Sequence, residues 1–137
     1  MKTNMAEPAK KYKIYLVDDD RFLLDMYSMK FKSAGMDVTA CQGGNDVLTK
    51  LREGTPPDAI LLDVVMPEVD GFAVLEAINR ENLAPKTKVI ILSNQGQDSD
   101  MERAKKLGAA GYIIKASAIP SEVLERTGKI LRGEETA

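Results

Sequence analysis

The sequence AILLD at residues 59–63 decides the fold, because four apolar residues run without a break into a carboxylate. A second run of the same kind, VIILS at residues 89–93, ends in a hydroxyl. A short continuous apolar run is typical of a strand that is buried on both faces, as in the middle of a parallel sheet. We therefore predict two central strands, each with a polar side chain at its carboxyl end.

Short strand patterns alternate with longer amphipathic helical patterns on either side of these two runs. The five predicted strands are Lys13–Val17, Asp37–Ala40, Ala59–Leu62, Lys88–Leu92 and Gly111–Ile114. Each is followed by a segment with apolar residues at the three-and-four spacing of a helix. Five strand–helix units predict an α/β fold of the flavodoxin-like doubly wound type, (βα)5, with a five-stranded parallel sheet in the order 2-1-3-4-5.

Two helices carry local signals that predict their orientation and their ends. The first has an apolar stripe that we expect to face the sheet: Phe22, Leu23, Met26 and Met29. In the fourth, Ser99 and Glu102 have the spacing of a capping box, and Gly108 stands where a left-handed residue would end the helix.

Length and composition limit the architecture and the class of partner. The 137 residues allow one domain, which we assign to residues 12–132, with a flexible arm at 1–11 and a tail at 133–137. A net charge of −2 does not indicate direct nucleic-acid binding. Because no apolar run approaches the roughly 20 residues that span a bilayer and no signal peptide is evident, we expect a cytoplasmic protein without membrane contact.

The chain contains no histidine and one cysteine, Cys41. This composition excludes a Ser-His-Asp triad, a Cys-His dyad and a histidine phosphorelay residue, and it removes the usual ligands of zinc. Cys41 follows the second predicted strand, and we expect it to be a small packed residue without reactivity.

Polar side chains stand at the carboxyl ends of four of the predicted strands. Asp18 and Asp19 follow the first strand, Asp63 the third, Ser93 the fourth and Lys115 the fifth. In an open α/β sheet these ends share one edge, where ligands bind. Two carboxylates about 4 Å apart repel by about 4 kcal/mol at an effective dielectric near 20, so the cluster needs a compensating cation. An all-oxygen site favours Mg²⁺, with Mn²⁺ as a substitute.

A carboxylate nucleophile grouped with cations and a hydroxyl has the chemistry of a phosphoryl-transfer site, with an aspartyl phosphate as its product. Taken singly, the same residues have simpler interpretations. The run of residues 18–20 could cap the first helix, since aspartate is a common N-cap. Ser93 alone is typical of a turn, and Lys115 alone of a solvated lysine.

Four motifs, in their order and spacing, resemble the receiver domain of bacterial two-component response regulators. They are LVDD at 16–19, DVVMPEVDG at 63–71, ILS at 91–93, and GAAGY at 108–112 leading into Lys115. The resemblance extends from Tyr12 to Leu131 and is strongest to single-domain, chemotaxis-regulator-like receivers. It implies that Asp63 is the phosphoacceptor. It also implies that Mg²⁺ is bound by Asp18, Asp19, Asp63 and the backbone carbonyl of Val65.

The resemblance further implies that Ser93 and Lys115 contact the phosphoryl oxygens, and that Ser93 and Tyr112 move as a switch. Three residues would tune the lifetime of the phosphorylated form: Val65, Asn94 and Gln95. The donor would be a histidine kinase or a histidine phosphotransfer protein, and the domain would catalyse only its own phosphorylation and dephosphorylation. A downstream protein would bind the face of the fourth helix, fifth strand and fifth helix, whose charged rim includes Lys105, Lys106, Glu122 and Arg126.

The sequence departs from the family at three positions beside the site, one of which is the apolar Val65 two residues after Asp63. Ala116 replaces the proline that usually follows the lysine, and a cis bond at a non-proline residue costs about 2.5 to 4 kcal/mol, so a trans bond could place Lys115 differently. Asn94 replaces a small residue and could narrow access to Asp63. These departures keep open a receiver-like interaction module that works without phosphorylation. A phosphohydrolase of the haloacid dehalogenase type would need an acid where Val65 stands, and a flavodoxin would need a phosphate loop that the sequence lacks.

Overall fold

Five strands and five helices alternate along the chain in the computed structural model, which describes residues 11–94 and 96–134. The elements are β1 (Lys13–Val17), α1 (Arg21–Ser33), β2 (Asp37–Cys41), α2 (Gly44–Glu53), β3 (Ala59–Leu62), α3 (Gly71–Arg80), β4 (Lys88–Ser93), α4 (Asp98–Lys106), β5 (Gly111–Ile114) and α5 (Pro120–Leu131). A 3₁₀ turn, Lys115–Ser117, joins β5 to α5. The strands form one parallel sheet in the order β2-β1-β3-β4-β5, which confirms the predicted fold class.

The continuous apolar strands are explained by cores on both faces of the sheet. Ile60 and Leu62 of β3 pack in one cluster with side chains from α2 and α3. Ala59 and Leu61, which point the other way, pack with side chains from α1 and α5. All four β3 residues are buried, so β3 is a strand without a solvent-facing side. Asp63 follows directly, and its position is therefore fixed by the most buried strand in the sheet.

The predicted apolar stripe of α1 is wrong. Phe22 and Met29 are 75% and 71% exposed, and Leu23 and Met26 are only half-buried. The helix instead buries Leu24, Tyr27, Ser28 and Phe31. Apolar residues at helical spacing occur on two neighbouring faces of α1, and the sheet packs against the one that carries the large rings of Tyr27 and Phe31.

The start of α4 also differs from its prediction, while its end agrees. The helix begins at Asp98 after an extended Gln97, so Ser99 lies within the first turn and is not the N-cap. Asp98 and Asp100 place two carboxylates in that turn, where they interact favourably with the helix dipole. Gly108 has a φ of 87°, as its predicted role after the helix requires. Strands β2 and β4 each extend one residue beyond the prediction, to Cys41 and Ser93.

Candidate functional site

Backbone hydrogen bonds continue past the strands and hold the first site residues at the carboxyl edge of the sheet. The amide of Asp18 donates to the carbonyl of Cys41 at 3.1 Å, and the amide of Asp63 donates to the carbonyl of Val17 at 3.0 Å. Asp18 and Asp63 are 4% and 7% exposed, and Ser93, the last residue of β4, is 2% exposed. The structure therefore brings three of the predicted polar residues to one buried edge.

Three carboxylates form a cluster at this edge. One carboxylate oxygen from each of Asp18, Asp19 and Asp63 lies within 4.8 Å of the other two. Asp18 and Asp63 are buried, and Asp19 is exposed. Asp20 does not join them, because its Oδ1 accepts from the amide of Leu23 and caps α1. Its own amide donates to Asp18 Oδ1 at 2.9 Å. Of the three aspartates, only Asp20 caps the helix. The carboxylates of Asp18 and Asp19 belong to the cluster.

Lys115 reaches this cluster from the turn after β5. Its Nζ lies 2.7 Å from Asp18 Oδ2 and 3.4 Å from Asp63 Oδ1, and its side chain is 6% exposed. None of the peptide bonds in the described ranges is cis, so Lys115 makes these contacts with a trans bond to Ala116. With alanine in place of the family's proline, the ammonium group still contacts both buried aspartates.

Burial and the neighbouring charges together shift the pKa values of Asp63 and Lys115. Burial raises the pKa of Asp63 to about 6; Lys115 opposes this rise and the negative charge of Asp18 adds to it. Burial lowers the pKa of Lys115, but its hydrogen bond to Asp18 and the charges of both aspartates raise it by more. Lys115 is therefore cationic at neutral pH. When all three carboxylates are ionised, one ammonium leaves the group with two uncompensated negative charges.

This donor set fits a divalent cation that prefers oxygen. Carboxylate oxygens are the ligands that Mg²⁺ takes in proteins, usually one or two of them together with water and phosphate oxygens. A charge of +2 would balance the two excess negative charges of the cluster. Val65, whose backbone carbonyl is the fourth predicted ligand, lies two residues after Asp63, and its side chain is 69% exposed.

The start of α3 packs directly beneath Asp63, a contact that sequence reasoning missed. The amide of Gly71 donates to the carbonyl of Val64 at 2.9 Å, and a Cβ on Gly71 would lie 2.3 Å from the carbonyl oxygen of Asp63. Asp70 caps the helix by accepting from the amide of Ala73 at 2.8 Å. The Asp-Gly pair in the sequence indicated a turn, but it did not indicate that only glycine fits against the phosphoacceptor candidate.

A cavity of about 490 Å³ opens beside Lys115, between the first turns of α1 and the segment that enters α5. Asn94 and Tyr27 line it together with Lys115. Tyr27 is 5% exposed; burial raises the pKa of its phenol and the charge of Lys115 opposes that rise. Sequence reasoning missed Tyr27, because it assigned a different face of α1, the one that carries Phe22 and Met29, to the sheet.

The side chains of the remaining predicted residues are buried in the core or lie outside the described ranges. Tyr112 is 8% exposed and packs in the same cluster as Phe72 and Ala104, and its carbonyl accepts from Arg126 Nη2 at 3.4 Å. Gln95 lies outside the described residues, as do residues 1–10 and 135–137 of the predicted arm and tail. Cys41 is fully buried, and burial raises its pKa to about 12, in agreement with an unreactive thiol.

The fold and the site together define the receiver class of signalling domain. The sheet is flavodoxin-like, carboxylates follow its first and third strands, and a lysine follows its fifth. The chain belongs to the family described as the response regulator receiver domain, whose model matches residues 14–126. Among the described residues, no helix is long and apolar enough to cross a membrane.

Individual relatives agree with this membership. The alkaline phosphatase synthesis transcriptional regulatory protein PhoP of Bacillus subtilis (strain 168) is 31% identical over 125 residues, which cover 91% of this chain and 50% of PhoP. The response regulator DrrB of Thermotoga maritima is 28% identical with a TM-score of 0.79, covering 93% of this chain and 55% of its own. Chemotaxis protein CheY4 of Vibrio cholerae is 25% identical with a TM-score of 0.81, covering 88% and 99%. The chain spans about half the length of the curated relatives it matches.

Proposed function

We propose that this receiver domain accepts a phosphoryl group on Asp63 from a phosphohistidine of a histidine kinase or a histidine phosphotransfer protein. The observation that carries the proposal is the buried Asp63 carboxylate, 3.4 Å from the Lys115 ammonium and within 4.8 Å of two further carboxylates. An oxygen of Asp63 attacks phosphorus, the phosphorus–nitrogen bond of the donor breaks, and the released imidazole takes up a proton from water. The product is an aspartyl phosphate.

Each neighbouring group has a role that follows from its position. Asp18, Asp19 and Asp63, with the carbonyl of Val65, would hold Mg²⁺, which supplies positive charge to the transferring phosphoryl oxygens. Lys115 already bridges Asp18 and Asp63, and we assign it a charge-assisted hydrogen bond to a phosphoryl oxygen. The hydroxyl of Ser93 would donate a second hydrogen bond. Val65, Asn94 and Gln95 would set how easily water reaches the phosphoryl group.

The new phosphoryl group would act on a protein-binding surface. We propose that Ser93 moves toward the phosphate and that Tyr112, which lies inward here, stabilises the altered face of α4, β5 and α5. A downstream protein would bind this face at a rim that includes Lys105, Lys106, Glu122 and Arg126. We infer a signalling domain in the cytoplasm that contacts neither membrane nor nucleic acid directly.

Intact mass spectrometry after incubation with acetyl phosphate tests the phosphorylation. We expect the chain to gain one phosphoryl group when Mg²⁺ is present and none in EDTA. Asp63→Asn should abolish the gain, whereas Asp70→Asn, which changes a helix cap outside the cluster, should not. No gain in the unmodified chain, or an equal gain in Asp63→Asn, would refute the proposal and favour an interaction module that works without phosphorylation.

A further inference from the structure

Arg103 of α4 makes two contacts to α3 that involve none of the site residues assigned above. Its guanidinium lies 4.5 Å from the centre of the Phe72 ring, which is the geometry of a cation–π interaction. Its Nη2 also lies 3.7 Å from Glu76 Oε2. The Arg103 and Glu76 side chains are 51% and 47% exposed, so the ion pair alone is weak. Phe72 is 3% exposed, and the stacked guanidinium is the better-defined contact.

The rest of α4 is held by little apolar packing. Ala104 is the one buried residue in the nine of this helix, and Met101 is 38% exposed. Just past the helix, the carbonyl of Leu107 accepts a hydrogen bond from Asn79 Nδ2 at 2.7 Å. A helix with so few buried contacts opens easily, and its stability therefore depends on each side-chain tether.

Phe72 is also connected to the phosphoacceptor candidate. It follows Gly71, whose amide is bonded to the carbonyl of Val64 and whose Cα lies too close to Asp63 to accept a Cβ. Backbone packed this tightly transmits a displacement instead of absorbing it. A rearrangement of Asp63 or of the residues after it would therefore move the Phe72 ring on which Arg103 stacks.

We propose that Arg103 is a positioning residue that couples the Asp63 loop to α4 through its stack on Phe72. The coupling rests on the proposed function, because a ligand at Asp63 is its input. Ligand binding at Asp63 changes the stability of α4, and by linkage the anchoring of α4 changes the affinity of the site by the same factor. Without the stack, α4 keeps only the part of its response that Ser93 and Tyr112 supply.

Hydrogen exchange of residues 98–106, measured by mass spectrometry with and without Mg²⁺ and beryllofluoride, tests this coupling. Beryllofluoride is the probe because the similar DrrB receiver domain is described as BeF3 activated. In Arg103→Met, α4 amides should exchange about two- to fivefold faster than in the unmodified chain, the range expected for loss of one partly exposed cation–π contact. The ligand-dependent change in α4 exchange should be largely lost.

Three further variants separate coupling from general loosening. Arg103→Lys keeps a cation and should restore part of the ligand-dependent change, and Glu76→Gln, which leaves the stack in place, should keep most of it. Arg52→Met is the matched control, because Arg52 makes a two-point ion pair with Glu81 past the opposite end of α3. It should leave α4 exchange and its response to ligand unchanged.

The outcomes distinguish this proposal from the proposed function. If the unmodified chain binds Mg²⁺ and beryllofluoride but α4 exchange does not respond, the coupling is refuted and the site assignment stands. The same conclusion follows if Arg103→Met loosens α4 equally with and without ligand and keeps the full ligand-dependent change. Failure of the unmodified chain to bind either ligand would refute both proposals.

Discussion

Asp63→Asn should stabilise the metal-free protein at neutral pH, because the Asp63 carboxylate is ionised at a cost to the fold. It is 7% exposed and close to Asp18, and burial is the main reason that its pKa rises from 3.8 to about 6. The difference of about 2 units, at 1.36 kcal/mol each, amounts to about 3 kcal/mol. Asparagine has nearly the same shape and carries no charge, so the variant avoids this penalty.

The sign of the pH dependence follows from proton linkage. The folded chain holds the Asp63 proton more tightly than the unfolded chain does, since the pKa of Asp63 is raised by folding to about 6. Stability is therefore lost as the pH rises from the unfolded pKa through the folded one, and the loss is complete above both. The advantage of Asp63→Asn should be up to about 3 kcal/mol at pH 7.5 and below about 1 kcal/mol at pH 4.

Urea unfolding in EDTA, followed by circular dichroism at the two pH values, measures this difference. The m-value should be unchanged, so that the midpoints report stability directly. Asp70→Asn serves as the control, because asparagine caps a helix about as well as aspartate and Asp70 lies on the surface. The reasoning fails if Asp63→Asn is no more stable than the unmodified chain at pH 7.5, or if its advantage is the same at pH 4.

Three further predictions concern the metal, the glycine beneath the site and the orientation of α1. Mg²⁺ at 100 times its dissociation constant should raise the unfolding free energy of the unmodified chain by about 2.7 kcal/mol, and that of Asp63→Asn by less, in the same urea assay. Gly71→Ala should destabilise the fold by about 1 to 3 kcal/mol, because its Cβ would lie 2.3 Å from the Asp63 carbonyl oxygen. Gly43→Ala, with nothing within 4 Å, should change stability by less than about 1 kcal/mol. Thermal denaturation should show Phe31→Ala losing about 3 to 5 kcal/mol and Phe22→Ala, 75% exposed, almost nothing.

The sheet and the gathering of the site could be predicted from the sequence, because both follow from local pattern. A strand buried on both faces must be continuously apolar, as β3 is, and parallel strands bring the residues after them to one edge. This rule predicted that Asp18, Asp63 and Lys115 lie close together, although they are far apart in the sequence. Their proposed chemical roles remain predictions.

Other features depend on tertiary packing that the sequence pattern does not contain. Both Phe22 and Phe31 lie on apolar faces of α1, and the periodicity does not say which face meets the sheet. Ser99 has the right chemistry for an N-cap, but the helix begins one residue before it. The stack of Arg103 on Phe72 depends on how α4 lies against α3, which no local signal specifies.

The three consecutive aspartates after β1 are held by different elements of the fold. Asp18 is bonded through its amide to β2 and Asp20 through its carboxylate to α1, so Asp19 is held between a strand and a helix cap. The length of this segment therefore matters as much as its composition. A fourth aspartate inserted here would leave every carboxylate available, yet it would shift the cap against the sheet by one residue. Evolution and protein engineering can thus substitute residues in this connection more readily than they can lengthen or shorten it.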